Sequence, residues 1–191
     1  MTESNNPSAI RSKNEITEAL LSLMQNAPYN EISVKQIIME ARLARKTFYR
    51  NFESKDDVLI SYLKGIIREY YDVVNTGKVN VLETIFLYVD KYRDLLRLLE
   101  KHNILHLPLQ CINEYLPILH NKFFNECKTS SFLFKNLDSE YLMAFNIGAI
   151  WNVISLWVHR GMIDTPESVK KISPHILKEW QRFHFFKKAF L

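Results

Sequence analysis

Apolar residues recur along most of the chain at the spacing of helices that bury one face. A first series covers residues 16–24, a shorter second one covers 34–41, and paired apolar residues follow over 58–74. The chain has only four glycines and six prolines, and it lacks the alternating pattern of strands. The pattern therefore predicts an all-α protein. Further helices are predicted at residues 80–91, 93–102, 106–127, 138–160 and 166–178.

Serine residues mark the predicted starts of three helices. Ser12, Ser33 and Ser54 are each followed three residues later by Glu, Gln or Asp, the pattern of a reciprocal helix cap. Ala44 lies where a helix from residue 45 needs its cap, and alanine offers no acceptor, so we expect a weak start there. We expect the polar residues 1–13 to form a disordered arm.

The predicted helix from residue 45 has two chemically different sides. On a wheel of about 100° per residue, Phe48 and Phe52 fall on one side. The pattern predicts a short helix that is held by its aromatic side and presents cations and hydroxyls, which suit DNA bases and phosphates in a major groove. The outer side carries Lys46, Thr47, Tyr49 and Arg50.

The basic charge is concentrated in this region. The net charge of the whole chain is only +4, and residues 1–60 hold eight basic and eight acidic residues. Within residues 42–55, however, five basic residues face only one acidic residue, Glu53. A local patch of this kind favours a specific duplex contact over general coating of nucleic acid.

The sequence T-F-Y-R-N-F-x-S-K at residues 47–55, preceded by a Ser-capped helix that ends in Ala41, closely resembles the DNA-binding domain of TetR-type bacterial transcriptional regulators. The resemblance covers about residues 10–60. It implies a helix-turn-helix module at residues 1–53 and a helical ligand-binding and dimerisation domain at residues 54–191. The family usually has Gly where this chain has Arg42, a change that costs about 1 kcal/mol if the position needs a positive φ.

The residues expected to contact DNA lie on the predicted helix from residue 45, called the reading helix, and beside it. Ser33 is expected to cap the supporting helix and to reach a phosphate. Lys55 is expected to form a phosphate clamp with the free N–H groups at the start of the next helix. Lys46, Thr47 and Arg50 are expected near bases or phosphates. Contacts mainly to the DNA backbone are expected from Arg42, Arg45, Tyr49, Asn51 and Lys55.

The second part of the chain is rich in aromatic residues at helical spacing. Most such residues are core, but together they permit an apolar cavity for a small hydrophobic or aromatic ligand. The predicted pocket residues are Tyr62, Phe86, Tyr92, His102, His106, Tyr115, Asn146 and Trp151.

Residues 141–158 carry no charge. The run is close to the lower length limit of a membrane span, but polar residues interrupt it, and we expect no membrane crossing. A helix buried on nearly all sides, as in a dimer core, explains the composition better. Small and polar residues on one side would let a second helix approach closely. The predicted dimer interface comprises Ala144, Gly148, Asn152 and Ser155.

No common catalytic or cofactor-binding motif occurs, so we expect neither an enzyme nor a cofactor. His102 and His106 have the spacing of two metal ligands on one helix, but Asn103 and Pro108 predict a break there, which favours ordinary loop or pocket histidines. Two cysteines in a chain of this length indicate a reducing compartment. The N-terminus has no apolar leader, so we expect a cytoplasmic protein.

These features predict a homodimer. The resemblance implies a repressor that binds a pseudo-palindromic operator as a dimer and leaves it when a small molecule binds. Two reading helices would then lie about 34 Å apart, the distance between successive major grooves on one face of DNA. Two alternatives stay open. The fold could act as a coregulator through a protein partner, for which Arg42 and Ala44 are the only hints. Alternatively, the aromatic and basic residues 180–191 could bind a membrane surface.

Overall fold

The computed structural model describes residues 7–74, 76, 79, 81–114, 139–165 and 168, which form helices and turns without a strand. The predicted all-α fold is confirmed. Predicted helical residues 115–127 and 138 and the helix predicted at 166–178 lie outside the described residues, apart from residue 168. The helices are α1 (Pro7–Asn26), α2 (Val34–Glu40), α3 (Arg45–Asn51), α4 (Lys55–Val74), α5 (Val81–Lys91), α6 (Arg93–Lys101), α7 (described over 106–114) and α8 (Ser139–His159), with a 3₁₀ turn at Tyr29–Glu31 between α1 and α2.

The start predicted for the first helix at Ser12 is wrong. α1 begins at Pro7, a residue favoured in a first turn, and Ser12 is buried within the helix. The Ser12 hydroxyl donates a hydrogen bond to the Ser8 carbonyl at 2.9 Å instead of capping a helix end. The disordered arm is therefore also wrong for residues 7–13, while residues 1–6 lie outside the described part.

The three N-terminal helices share one core. α1 packs against α2 and α3, and α2 packs against α3. Several of the apolar residues that follow the helical spacing are fully buried there, so burial of their apolar sides stabilises α1, α2 and α3. The fully buried residues of these helices are Ile16, Leu20, Met24, Ile37 and Phe48.

The turn between α2 and α3 has a left-handed residue at Arg42, with φ of 53°. The Arg42 N–H donates to the Met39 carbonyl and the Leu43 N–H donates to the Ile38 carbonyl, which is the Schellman arrangement of a helix end. The same arrangement ends α8, where Gly161 has φ of 73°. The positive φ on which the expected cost of Arg42 depended is therefore present.

The chain divides into two compact units. The first unit comprises Met1–Glu69 with Lys101–Ile118, and the second comprises Tyr70–Glu100 with Leu119–Leu191. α4 and α6 each run through a dividing point, so both helices belong partly to each unit. The functional boundary expected after residue 53 stays a prediction.

α8 has one buried side and one exposed side in the single chain. In the second unit Trp151, Ile154 and Trp157 are buried, and the Trp157 ring meets the Phe86 ring edge-on at 6.4 Å. Tyr141 and Leu156 lie on exposed positions, with 76% and 51% of their surface accessible. The prediction of burial on nearly all sides therefore requires a second molecule. Within the described residues, no helix combines the length and apolarity that a membrane crossing demands.

Candidate nucleic-acid interface

α3 has the two-sided arrangement that its sequence predicts. Phe48 is fully buried and Phe52 is 4% exposed, while Tyr49 is 49% exposed. Lys46 and Arg50 are also exposed, and Thr47 is half-buried. The predicted division of this helix into an aromatic inner side and a cationic outer side is confirmed.

Contacts within α3 hold the outer side chains in place. The Arg45 guanidinium lies 5.5 Å from the centre of the Tyr49 ring, and the Phe48 ring meets Tyr49 edge-on at 5.3 Å. The Asn51 amide donates to the Thr47 carbonyl at 2.8 Å, so part of its hydrogen-bonding capacity is used inside the helix. Tyr49 is therefore oriented from both sides before any partner binds.

α2 and α3 form the predicted helix-turn-helix, which is called the reading unit below, and the two helices begin differently. Ser33 and Gln36 form a complete reciprocal cap at the start of α2, as predicted, and the Ser33 hydroxyl is also 2.7 Å from the Gln36 side chain. Ala44 provides no side-chain cap for α3, as predicted. The predicted phosphate contact of Ser33 would therefore compete with the cap. α3 depends on the packing of Phe48 for its stability.

Lys55 is used inside the protein, which sequence reasoning missed. Its ammonium group donates to the carbonyl oxygens of Tyr29, Ile32 and Asn30 at 2.5, 2.9 and 3.1 Å. It also lies 4.6 Å from the centre of the Tyr29 ring. A lysine has three N–H donors, and all three are used here. These contacts make Lys55 a brace for the turn before α2. The phosphate clamp predicted for its side chain stays a prediction, and it would have to replace these hydrogen bonds.

The start of α4 and the Tyr29 turn are joined by further hydrogen bonds. The Ser54 hydroxyl accepts from the Asp57 N–H at 3.1 Å, so Ser54 caps α4 as predicted. The Asp57 carboxylate accepts from the Glu53 N–H at 3.0 Å and not from the N–H of Ser54, so the cap is not fully reciprocal. The Tyr29 hydroxyl donates to the Asp56 carboxylate. Burial, together with this hydrogen bond, raises the pKa of the Tyr29 phenol.

The residues predicted for a ligand pocket belong to different units. Tyr62, His102 and His106 are in the first unit, and Phe86, Tyr92 and Trp151 are in the second. Tyr115 and the side chain of Asn146 lie outside the described part. Phe86 and Trp151 are buried, as core aromatics also are. The pocket stays a prediction.

His102 has a role that its sequence position does not reveal. Its Nε2 atom is 2.8 Å from the Met24 carbonyl oxygen, and its Nδ1 atom accepts from the Tyr29 N–H at 3.3 Å. The two ring nitrogens thus contact the backbone of the last turn of α1 and of the 3₁₀ turn that follows it. The pocket role predicted for His102 stays a prediction. The described residues contain no group of three or more metal-ligating side chains that could hold an ion.

The predicted dimer-interface residues follow one side of α8. Ala144 and Asn152 are exposed, while Gly148 and Ser155 are half-buried. The Asn152 amide donates to the Gly148 carbonyl at 2.8 Å, within the helix. Three of these four residues are small, and the amide of the fourth already has a partner within the helix. The dimer interface stays a prediction.

Residues 16–62 match the family model described as bacterial regulatory proteins, tetR family. These residues contain the whole of α2 and α3, most of α1 and the first turns of α4. Over these residues the chain is similar to the regulators of the tetR family. The resemblance noted in the sequence is thereby confirmed.

Curated and solved relatives extend over most of the chain. The transcriptional activator DhaS of the dhaKLM operon in Lactococcus lactis is 22% identical over 155 residues, covering 76% of this chain and 79% of DhaS. The solved structure of a dihydroxyacetone kinase operon activator DhaS has a TM-score of 0.56 at 21% identity, covering 91% of this chain and 98% of that one.

Two further solved regulators have similar folds. A TetR regulator from Streptococcus agalactiae gives a TM-score of 0.54 at 19% identity over 86% of this chain and 92% of its own. The fatty acid degradation regulator FadR from Bacillus halodurans gives 0.54 at 18% identity over 88% and 93%. The matched family and these relatives are transcriptional regulators and not enzymes, which supports a DNA-binding regulator for this chain.

Proposed function

We propose that the chain is a cytoplasmic homodimer that binds a pseudo-palindromic operator by placing α3 of each subunit in successive major grooves. The observation that carries this proposal is the exposed cationic side of α3, which is backed by a fully buried Phe48. Base edges require long side chains with hydrogen-bond donors on a narrow element, and α3 presents them. The residues proposed to contact DNA are Ser33, Arg42, Arg45, Lys46, Thr47, Tyr49, Arg50 and Asn51.

The dimer is proposed to form through the exposed side of α8. Tyr141, Phe145 and Leu156 expose much of their apolar surface there, and the small residues Ala144 and Gly148 lie between them. Burying this surface against its copy would be favourable at about 25 cal/mol per Å². A two-fold axis would make the same side of α8 contact itself, as symmetric dimers require.

Control by a small apolar or aromatic ligand is proposed for the second part of the chain. The ligand must bind the DNA-incompetent arrangement of the dimer more tightly than the competent one, since equal affinity would shift no population. The resemblance to the family implies a repressor, whereas DhaS is described as an activator. Two reporter genes distinguish a repressor from an activator, one with the operator inside its promoter and one with the operator upstream of the promoter.

Selection of bound sequences from random DNA with the purified full-length protein tests direct recognition. We expect enrichment of a pseudo-palindrome whose half-sites are centred about 10 base pairs apart, or a small multiple of that spacing. A variant with Lys46, Thr47 and Arg50 replaced by alanine serves as the control and should enrich nothing. Absence of enrichment by the unaltered protein would contradict direct recognition.

The alternative function is coregulation through a protein partner. The uncapped start of α3 at Ala44 is the observation that favours it, because a marginal reading helix weakens DNA recognition by the chain alone. In that case a specific sequence is enriched from random DNA only when the partner protein is added. The same selection experiment therefore distinguishes the two functions.

A further inference from the structure

The end of α6 contacts the end of α1 through two neighbouring side chains. Lys101 donates from its ammonium group to the Gln25 carbonyl at 2.7 Å, and His102 Nε2 is 2.8 Å from the Met24 carbonyl. These carbonyls belong to the last turn of α1, where helical partners are lacking. The segment that follows α6 therefore caps α1.

Asn103 ends α6 and lets His102 face α1. Its φ of 58° is left-handed, a conformation that asparagine adopts more readily than most residues. The chain turns sharply there before α7 begins at residue 106. His102 is thus presented by a fixed turn.

The partners of the His102 ring define its tautomer. Nε2 faces the Met24 carbonyl oxygen and must donate, whereas Nδ1 faces the Tyr29 N–H and must accept. Only the neutral ring with its proton on Nε2 satisfies both contacts. Either contact alone could be made by an amide side chain, so the two can be separated by substitution.

Tyr29 is the point at which these contacts reach the reading unit. His102 accepts its N–H, Lys55 binds its carbonyl oxygen and Asp56 accepts from its hydroxyl. The Tyr29 side chain is 9% exposed, and Ser33, the cap of α2, follows four residues later. Tyr29 is therefore held from three directions immediately before the segment that leads into α2.

We infer that His102 is a positioning residue for DNA recognition, because it holds Tyr29 and so sets α2, the helix that supports α3. The inference rests on the proposed function, since it names a residue outside α2 and α3 on which the affinity for DNA would depend.

Hydrogen exchange of the full-length protein without DNA tests the contact itself. His102→Gln keeps a donor near the Nε2 position and removes the acceptor for Tyr29, so we expect exchange at Tyr29 and in α2 to accelerate about tenfold. His102→Asn keeps an acceptor near the Nδ1 position and should leave the Tyr29 amide within about threefold of the unaltered protein.

Lys101→Met is the matched control, because it removes the neighbouring hydrogen bond to Gln25 and leaves Tyr29 untouched. It should not change exchange at Tyr29. Equal exchange at Tyr29 in His102→Gln and the unaltered protein would overturn the inference. Equal acceleration in His102→Gln and Lys101→Met would overturn it as well, because it would indicate general loosening of the α6 end.

Binding to the duplex obtained by selection tests the functional consequence. His102→Gln should weaken affinity about tenfold with unchanged sequence preference and salt dependence, whereas Lys101→Met should bind as the unaltered protein does. Accelerated exchange with unchanged affinity would overturn the positioning role. If the unaltered protein selects no duplex, the proposed function fails, while the exchange experiment still decides the contact.

Discussion

α3 and α8 each leave one side exposed, and the two sides differ in chemistry. α3 exposes Lys46, Tyr49 and Arg50, whereas α8 exposes Tyr141 and Leu156. Cations gain from a polyanion and lose when they are buried against protein, while apolar side chains gain from burial against protein. The difference indicates that the two exposed sides suit different partners. We propose DNA for α3 and a second subunit for α8.

The two helices also differ in what stabilises them. α3 has seven residues and no side-chain cap, so its packing through Phe48 must replace local stability. α8 has 21 residues and ends in a Schellman turn at Gly161. α3 should therefore be sensitive to its core, and α8 should be sensitive to its surface.

The largest expected effect is from Phe48→Ala. Removing this fully buried ring leaves a cavity beneath α3 and should lower the free energy of unfolding by about 3–5 kcal/mol. Urea denaturation measures the loss. Tyr49→Ala is the matched control on the exposed side and should cost well under half as much; similar losses in both variants would contradict the two-sided arrangement.

Leu156→Glu should separate the subunits. A carboxylate placed without a partner in an apolar interface is costly, so the dissociation constant of the dimer should rise about 100-fold, which corresponds to about 2.7 kcal/mol. Sedimentation velocity over a dilution series measures the change. Ile163→Glu is the control, because Ile163 is 86% exposed beyond the end of α8, and it should leave the dimer intact. Unchanged association of Leu156→Glu would remove α8 from the interface.

Arg50→Ala should change which DNA sequences are preferred. Loss of a base-contacting guanidinium is expected to weaken binding to the preferred duplex by about 1–3 kcal/mol and to relax selection at one or two positions. Repeating the random-DNA selection with the variant measures both effects. A uniform loss across all sequences would indicate a phosphate contact instead.

The smallest effect is expected from Arg42→Gly. Glycine relieves the left-handed strain at φ of 53° and should raise the free energy of unfolding by up to about 1 kcal/mol. If Arg42 also contacts a phosphate, affinity for DNA should fall while stability rises. The equivalent opposite change, Gly161→Ala at the end of α8, should destabilise the protein; a destabilised Arg42→Gly variant would show that the Arg42 side chain makes a needed contact.

Local features of the fold could be predicted from the sequence because their partners lie within one turn. The caps at Ser33 and Ser54 and the two sides of α3 follow from neighbouring residues alone. The false start at Ser12 has the same cause, since a Ser-x-x-Glu pattern does not reveal that a helix has already begun. Pro7 was the signal for the true start.

Contacts between distant residues could not be predicted. The carbonyl partners of Lys55 lie 23 to 26 residues away, and the two partners of His102 lie 73 and 78 residues away. A lysine in a first helical turn and a histidine near a break have many possible partners, and only the packing of α1 against the neighbouring segments selects one. The hydrogen bonds of Lys55 and His102 could therefore be found only from the structure.

Salt dependence of DNA binding tests the central claim most directly, namely that an exposed cation meets DNA and an internally bonded one does not. Arg45→Met and Lys55→Met each remove one charge per subunit, and the affinity of each for the selected duplex is measured across a range of salt concentrations. We predict that Arg45→Met lowers the slope of log affinity against log salt by about one unit per subunit. Lys55→Met should weaken binding with an unchanged slope, and a slope that falls as far as that of Arg45→Met would contradict the account.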